Sequence, residues 1–260
     1  MPEPQAVARR VRVEQVMGTA VGVDLRAPWV TEEDVEAFFA WLREVDGRFS
    51  TYRADSEVSR IGAGELAVED AHPDLHEVLG LCEDVGRRSG GAFAARHPDG
   101  RLDPSALVKG WSVERGARVL GDAGARNLCL NAGGDVLALG EPEPGRAWRV
   151  GIRHPEVAGS VAAVLAVRDL AVATSGLYER GGHILDPRSG APARGLLSMT
   201  VVGPSLALAD AYSTAAFVMG PDGVSWVAGI AGYAAYVVTT ERRCLWSDGC
   251  DSLLVQDLGR

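Results

Sequence analysis

The chain lacks any run of about 18 apolar residues, so no segment of it is a candidate membrane-spanning helix. Its opening stretch, MPEPQAVARRVRVEQVMG, has neither an apolar core nor a cleavage site of the secretory kind. The expectation from both is a cytoplasmic protein with no membrane anchor. An excess of positive charge is also missing: the net charge is −9, with acid and base spread along the chain. Such a protein gets no long-range attraction toward nucleic acid or an anionic membrane. Any anionic ligand must be held locally, by a lysine, a histidine, backbone N–H groups or a metal. The four cysteines, Cys82, Cys129, Cys244 and Cys250, include no CxxC pair and no histidine at zinc-finger spacing. They read as free or buried thiols; a Cys244–Cys250 disulfide is open but nothing demands it. There is no GxGxxG for a dinucleotide fold and no GxSxG elbow for a hydrolase. No linker, low-complexity run or repeat divides the chain, so residues 1–260 read as one domain.

What the sequence has in quantity is glycine, 32 of 260 residues, which implies many tight turns or close backbone approaches. Val11–Val16 and Ala20–Leu25 alternate as strands, broken by Met17-Gly18-Thr19. Thr31 reads as the N-cap of a helix with Glu32, Glu33 and Asp34 in its first turn. Val35, Phe38, Phe39, Leu42 and Val45 then recur at helical spacing. Residues 49–64 read as a polar loop, and Leu75–Arg88 as a second helix. Asp103 is expected to cap a third, with Pro104 at its first position. Strands are expected at 127–130, after Gly134, and at 148–153, 161–167, 171–174, 198–202 and 234–239. Leu206–Met219 reads as a helix. The paired strands imply hairpins, and the irregular alternation favours α+β with largely antiparallel sheets and packed helices.

Five constellations carry chemistry. Within the apolar 206–219 helix, Asp210 and Thr214 lie four apart on one face, with Ser213 beside them. A buried carboxylate needs a partner or a cation, and carboxylate plus hydroxyl oxygens suit Mg²⁺. The same pattern fits an aspartate bonded to a loop backbone while the hydroxyls bond back to their own helix. Asp103-Pro-Ser-Ala-Leu-Val-Lys109-Gly110-Trp111 places a lysine near a helix start, where an anion meets both charge and dipole; a solvated lysine fits equally. Asn131-Ala-Gly133-Gly134-Asp135 ends a strand, as a close approach for a ligand or as a plain turn. Ala173-Thr174-Ser175-Gly176 precedes Tyr178-Glu179-Arg180 and His183-Ile-Leu-Asp186-Pro-Arg188, where His183 is either a donor to phosphate or part of a turn. Met17 and Tyr52 close the set: a tyrosine can stack on a flat ring or simply pack in its loop.

The order of these motifs resembles the ApbE family of FAD:protein FMN transferases: MGT, FSTY followed by SEVSRI, DPSALVKGW, NAGGD, ATSG, HILDPRSG and ADAYSTAAFVMG. The resemblance spans roughly Met17 to Gly220. It implies that family's T-fold-like α+β architecture, with FAD as substrate and Mg²⁺ as cofactor. By matching position, Met17 and Tyr52 would line the FAD site. Asp103 and Lys109 would contact FAD, and the Leu185 backbone would touch it, with His183–Asp186 at the pyrophosphate. Ala92, Phe93 and Ala94 would form the flavin-side wall. The Ala106 carbonyl would face the metal, held by Asp210 and Thr214 with Ser213 adjacent. Asp210, His183 and Lys109 would be the catalytic groups.

The implied reaction is attack by a Ser or Thr hydroxyl of an acceptor flavoprotein on the FMN-side phosphorus of FAD, with AMP leaving. Two other outcomes stay open at this point: hydrolysis of FAD to FMN and AMP, and FAD binding without catalysis. The chain departs from the family pattern in three places. It shows no lipidated cysteine after a signal, its 90–101 segment is short, and Leu177 stands where a polar residue is more usual.

Overall fold

The computed structural model describes residues 9–97, 99–177 and 184–255. The first hairpin joins β1 (Arg10–Val16) to β2 (Thr19–Leu25) through a two-residue turn. Both turn residues have positive φ, Met17 at 55° and Gly18 at 71°. That is the backbone a tight hairpin requires, and it is costly for a methionine. Helix α1 (Glu32–Phe49) starts in a capping box: the Thr31 hydroxyl accepts from the Asp34 N–H, and the Asp34 carboxylate accepts from the Thr31 N–H.

After α1 come α2 (Glu57–Gly62), α3 (Pro73–Arg88) and α4 (Ser105–Asp122). Then follow β3 (Leu128–Ala132), β4 (Asp135–Leu139), β5 (Trp148–Arg153), β6 (Val161–Val167), β7 (Leu170–Gly176) and β8 (Leu196–Gly203). Helix α5 (Leu206–Met219), helix α6 (Asp222–Ala228), β9 (Ala234–Thr239) and β10 (Cys244–Trp246) complete the order. The fold is α+β, as expected. Among the described residues its main sheet has eight strands in the order β1-β2-β3-β4-β7-β8-β9-β10, every neighbouring pair antiparallel. β5 and β6 form a separate two-stranded sheet. No helix among the described residues is long and apolar enough to cross a membrane.

Each face of the main sheet has its own apolar layer. On one face, Val21, Val23, Leu130, Leu137, Val201 and Val237 pack with Phe38, Leu107 and Phe217 of the helices. On the other, Val136, Val172, Val202, Tyr236 and Val238 meet Trp148, Val150, Ile152 and Leu165 of the β5–β6 hairpin. Alternate residues of β9 enter the two layers in turn, which is why the whole strand is buried.

Several local expectations are corrected. The 49–64 stretch is not all loop. Phe49 ends α1, and α2 forms because Ser56 caps it, its hydroxyl accepting from Ser59 N–H at 3.0 Å. A six-residue helix with one buried side chain, Val58, is too short to display helical periodicity. Helix α4 begins at Ser105 with Pro104 in the cap position, so Asp103 is not the N-cap. Its carboxylate still accepts from the Ser105 N–H at 3.1 Å, closing a turn just ahead of the helix. β3 is shifted toward Ala132, and β7 and β8 run longer than expected because both faces are covered. α6 and β10 carried no clear pattern of their own.

Helices α4 and α5 approach unusually closely at Gly110. A Cβ there would stand 2.4 Å from the Leu206 carbonyl oxygen. Gly110→Ala is therefore expected to cost about 2 kcal/mol by overpacking. Thermal unfolding should show it as a fall in Tm of roughly 4–8 °C. An unchanged Tm would contradict this account of the crossing.

All four cysteines are free thiols. Burial pushes the Cys82 thiol up to about 12 and those of Cys129 and Cys250 to about 11, whereas Cys244 is exposed. Ellman's reagent at pH 8 should titrate one fast thiol, Cys244. A native protein with no fast thiol would instead indicate the Cys244–Cys250 disulfide.

Candidate active site

The close crossing at Gly110 organises the site. It brings the Gly110 N–H to the Asp210 carboxylate, at 3.2 Å from Oδ2. Asp210 is 4% exposed, so this bond and its charged neighbours replace its lost hydration. The preceding residue on α4, Lys109, directs its ammonium between two carboxylates. Nζ lies 2.7 Å from Asp135 Oδ2 and 3.9 Å from Asp210 Oδ1. Asp135 is 1% exposed, at the start of β4, and its Oδ1 also accepts from the Thr174 N–H at 3.0 Å. Asp135 thus holds both Lys109 and the Thr174 end of β7.

A chain of hydroxyls runs from β7 to α5. Ser213 Oγ donates to the Asp210 carbonyl at 2.8 Å. Ser175 Oγ lies 2.8 Å from Ser213 Oγ and 3.1 Å from Thr214 Oγ1. Each hydroxyl has a single proton to give. With the Ser213 proton committed to the carbonyl, Ser175 must donate to Ser213, and Thr214 must then donate to Ser175. The lone pairs of Thr214 are left for whatever enters the cavity it lines. The Ser175 proton is itself committed, which argues against this serine as a nucleophile.

The cavity has a volume of about 620 Å³, within the range of about 300–1,000 Å³ usual for small-molecule sites. Lys109, Asp210 and Thr214 stand on its wall together with Asp103 and Ala106 of the α4 entry. Met17 lines it from the strained hairpin turn, its sulfur 3.4 Å from Ser112 Oγ, whose proton goes to the Lys109 carbonyl at 2.8 Å. Ala92, Phe93 and Ala94 form another wall, with Leu185 facing in beside them. Tyr52 sits at the rim, 86% exposed. Below Leu185, Arg188 forks onto Asp186 and holds that carboxyl below its ordinary range.

Ser213 is the exception among the α5 residues. It is fully buried and does not line the cavity; its hydroxyl bonds back to its own helix. His183 and the Tyr178-Glu179-Arg180 segment lie outside the described residues. The sequence places Asp135 and Ser175 within two of the constellations but assigns neither a role in the site. Asp135 had one signal, an acid opening an otherwise apolar strand directly after two glycines.

Among the described residues no cluster of three or more His, Cys, Asp or Glu side chains could form an all-protein metal cage. The donor chemistry nevertheless fits Mg²⁺: one carboxylate (Asp210) and one hydroxyl (Thr214) stand at the cavity wall, with Ala106 lining the same cavity. Mg²⁺ characteristically takes one or two carboxylates and completes its shell with water and substrate phosphates.

The sequence model of the ApbE family matches residues 17–97 and 94–237. An FAD:protein FMN transferase of Rhodobacter capsulatus is 33% identical over 210 residues, covering 78% of this chain and 37% of that protein. One from Vibrio cholerae is 28% identical over 242 residues, covering 70% of this chain and 72% of that protein. The chain spans under half the length of the first three curated relatives, at 37%, 44% and 44%. Among solved structures, the apo flavinyl transferase of Pseudomonas stutzeri superposes with a TM-score of 0.84 at 22% identity, covering 98% of this chain and 100% of that one. A flavin transferase from Vibrio cholerae gives 0.81 at 22% identity, covering 95% and 100%. These likenesses establish a shared fold.

Removing Asp135 would leave the Lys109 ammonium and the Thr174 N–H without their shared partner. Asp135→Ala is expected to cost about 3 kcal/mol, the low end for breaking a buried pair, because Lys109 is partly exposed. Urea unfolding measures it. A loss below about 1 kcal/mol, the scale of a surface ion pair, would contradict the anchoring role.

Proposed function

We propose, from the premise that the chain belongs to the ApbE family, that it transfers the FMN half of FAD to a Ser or Thr hydroxyl of an acceptor flavoprotein and releases AMP. The observation that carries this reading is the convergence of Lys109, Asp210 and Thr214 on one wall of a cavity of about 620 Å³. Cation, carboxylate and hydroxyl stand side by side there, as a pyrophosphate and its counter-ion require.

In this reading the pyrophosphate lies against Lys109, whose ammonium is already oriented by Asp135 at 2.7 Å. A donor held before substrate arrives needs no reorganisation as charge builds on the leaving oxygen. Met17, Ala92, Phe93 and Ala94 line the space offered to the flat ring system, and Tyr52 stands at the rim to stack on it. The acceptor hydroxyl attacks the FMN-side phosphorus. One O–P bond forms, the bridging O–P bond breaks, and AMP leaves with the electron pair. Asp210 takes the hydroxyl proton. Mg²⁺ held by Asp210, Thr214 and the Ala106 carbonyl would neutralise pyrophosphate charge and favour departure of AMP. His183 belongs to the same reading as a further donor to phosphate.

The test is incubation with FAD, Mg²⁺ and a candidate acceptor flavoprotein. The reading expects acceptor fluorescence that survives a denaturing gel, with AMP released in equal amount. Free FMN without labelled acceptor would make the protein a hydrolase, and tight FAD binding without AMP would make it a carrier. Asp210→Ala should lower AMP release at least ~100-fold while the fold persists. Near-normal AMP release by the folded variant would refute the role given to Asp210.

A further inference from the structure

A second cavity, of about 390 Å³, opens beside the first, and Gly133 and Thr174 line both. One wall is the main sheet around Asn131; the other is β5. Arg149, Val150 and Gly151 line it in succession. Since successive side chains point to opposite faces, β5 must meet the cavity edge-on. Along that strand Trp148, Val150 and Ile152 are buried while Arg149, Gly151 and Arg153 are exposed. Arg149 and Arg153 therefore share the outer face, about 13 Å apart at strand rise. Each has a partner within the chain, so an incoming acid competes by exchange.

We propose that this groove is the docking site for an extended, acidic segment of the acceptor protein. The identity of the partner as an acceptor rests on the transferase reading above. An extended segment laid along a strand edge gains main-chain hydrogen bonds, and pockets for alternate side chains give it selectivity. Acidic residues four apart in such a segment match Arg149 and Arg153, a local positive pair on a chain of net charge −9. The shared lining at Gly133 and Thr174 leads from this groove to the wall that holds Lys109 and Asp210. A hydroxyl carried on the docked segment is thereby delivered to the pyrophosphate. Gly133 is suited to this junction: it has φ 59°, and a Cβ there would collide with Thr19 Oγ1 at 2.6 Å.

The test uses two fluorescein-labelled 12-residue peptides, each with one central Thr, one flanked by Glu and the other by Lys. Fluorescence anisotropy measures their binding to the wild type and to the R149E/R153E variant. FAD affinity is followed on the same proteins by flavin fluorescence. The wild type should prefer the Glu peptide, with binding that weakens as salt rises. R149E/R153E should bind it at least ~10-fold more weakly and favour the Lys peptide, with FAD affinity unchanged within about twofold. Equal binding of both peptides by the wild type, or undiminished binding of the Glu peptide by the variant, would overturn the proposal. So would competitive displacement of the peptide by FAD, which would make the groove part of the FAD site. Peptide binding requires no flavin transfer, so a protein that docks the peptide yet releases no AMP fails the transferase reading alone.

Discussion

The packing of α4 directly on α5, without a side chain between them at Gly110, is the constraint from which the site follows. It sets a backbone N–H against the Asp210 carboxylate at 3.2 Å, and by the same step aims Lys109 toward Asp135 and Asp210. One ammonium thus bridges two buried acids, one on a helix and one on a strand. Isolated, either acid would be expensive to bury. Together with Lys109 they form a charged cluster of net charge −1 at the cavity wall, so a phosphate placed there in the proposed reading needs the cation as well as the lysine.

The sheet supplies what the helices cannot. β7 passes Thr174 and Ser175 beneath α5, with opposite duties on opposite faces. The Thr174 N–H is bonded to Asp135, and its hydroxyl pairs with Thr200 at 2.9 Å. Ser175 turns toward the helix and links Ser213 to Thr214. A hydroxyl relay of this kind sets direction: it decides which oxygen keeps its lone pairs for a ligand. That distinction separates Thr214, on the cavity wall, from Ser213, one residue earlier and closed off.

Much of this was legible from local chemistry. α5 runs from Leu206 to Met219 as its apolar pattern implied, between a capping Ser205 and a left-handed Gly220. The i, i+4 relation of Asp210 and Thr214 correctly put both on one face. Spacing alone could not say where Ser213 sends its proton, and the back-bonded alternative is the one the structure adopts. The Lys109–Asp135 pair was invisible for a different reason. It depends on how β4 sits beside β7 and under α4, which is a matter of lateral packing and not of any local propensity. Short elements escaped as well: α2 and α6 each span two turns or fewer and bury too little to leave a periodic trace.

In the proposed reaction FAD lies with its pyrophosphate against the Lys109–Asp210–Thr214 wall. A crystal structure of the protein soaked with FAD and Mg²⁺ addresses this directly. It should show pyrophosphate oxygens within hydrogen-bonding distance of Lys109 Nζ and an ion bridging them to Asp210 and Thr214. FAD bound elsewhere, or bound here with its pyrophosphate turned away from that wall, would contradict the account.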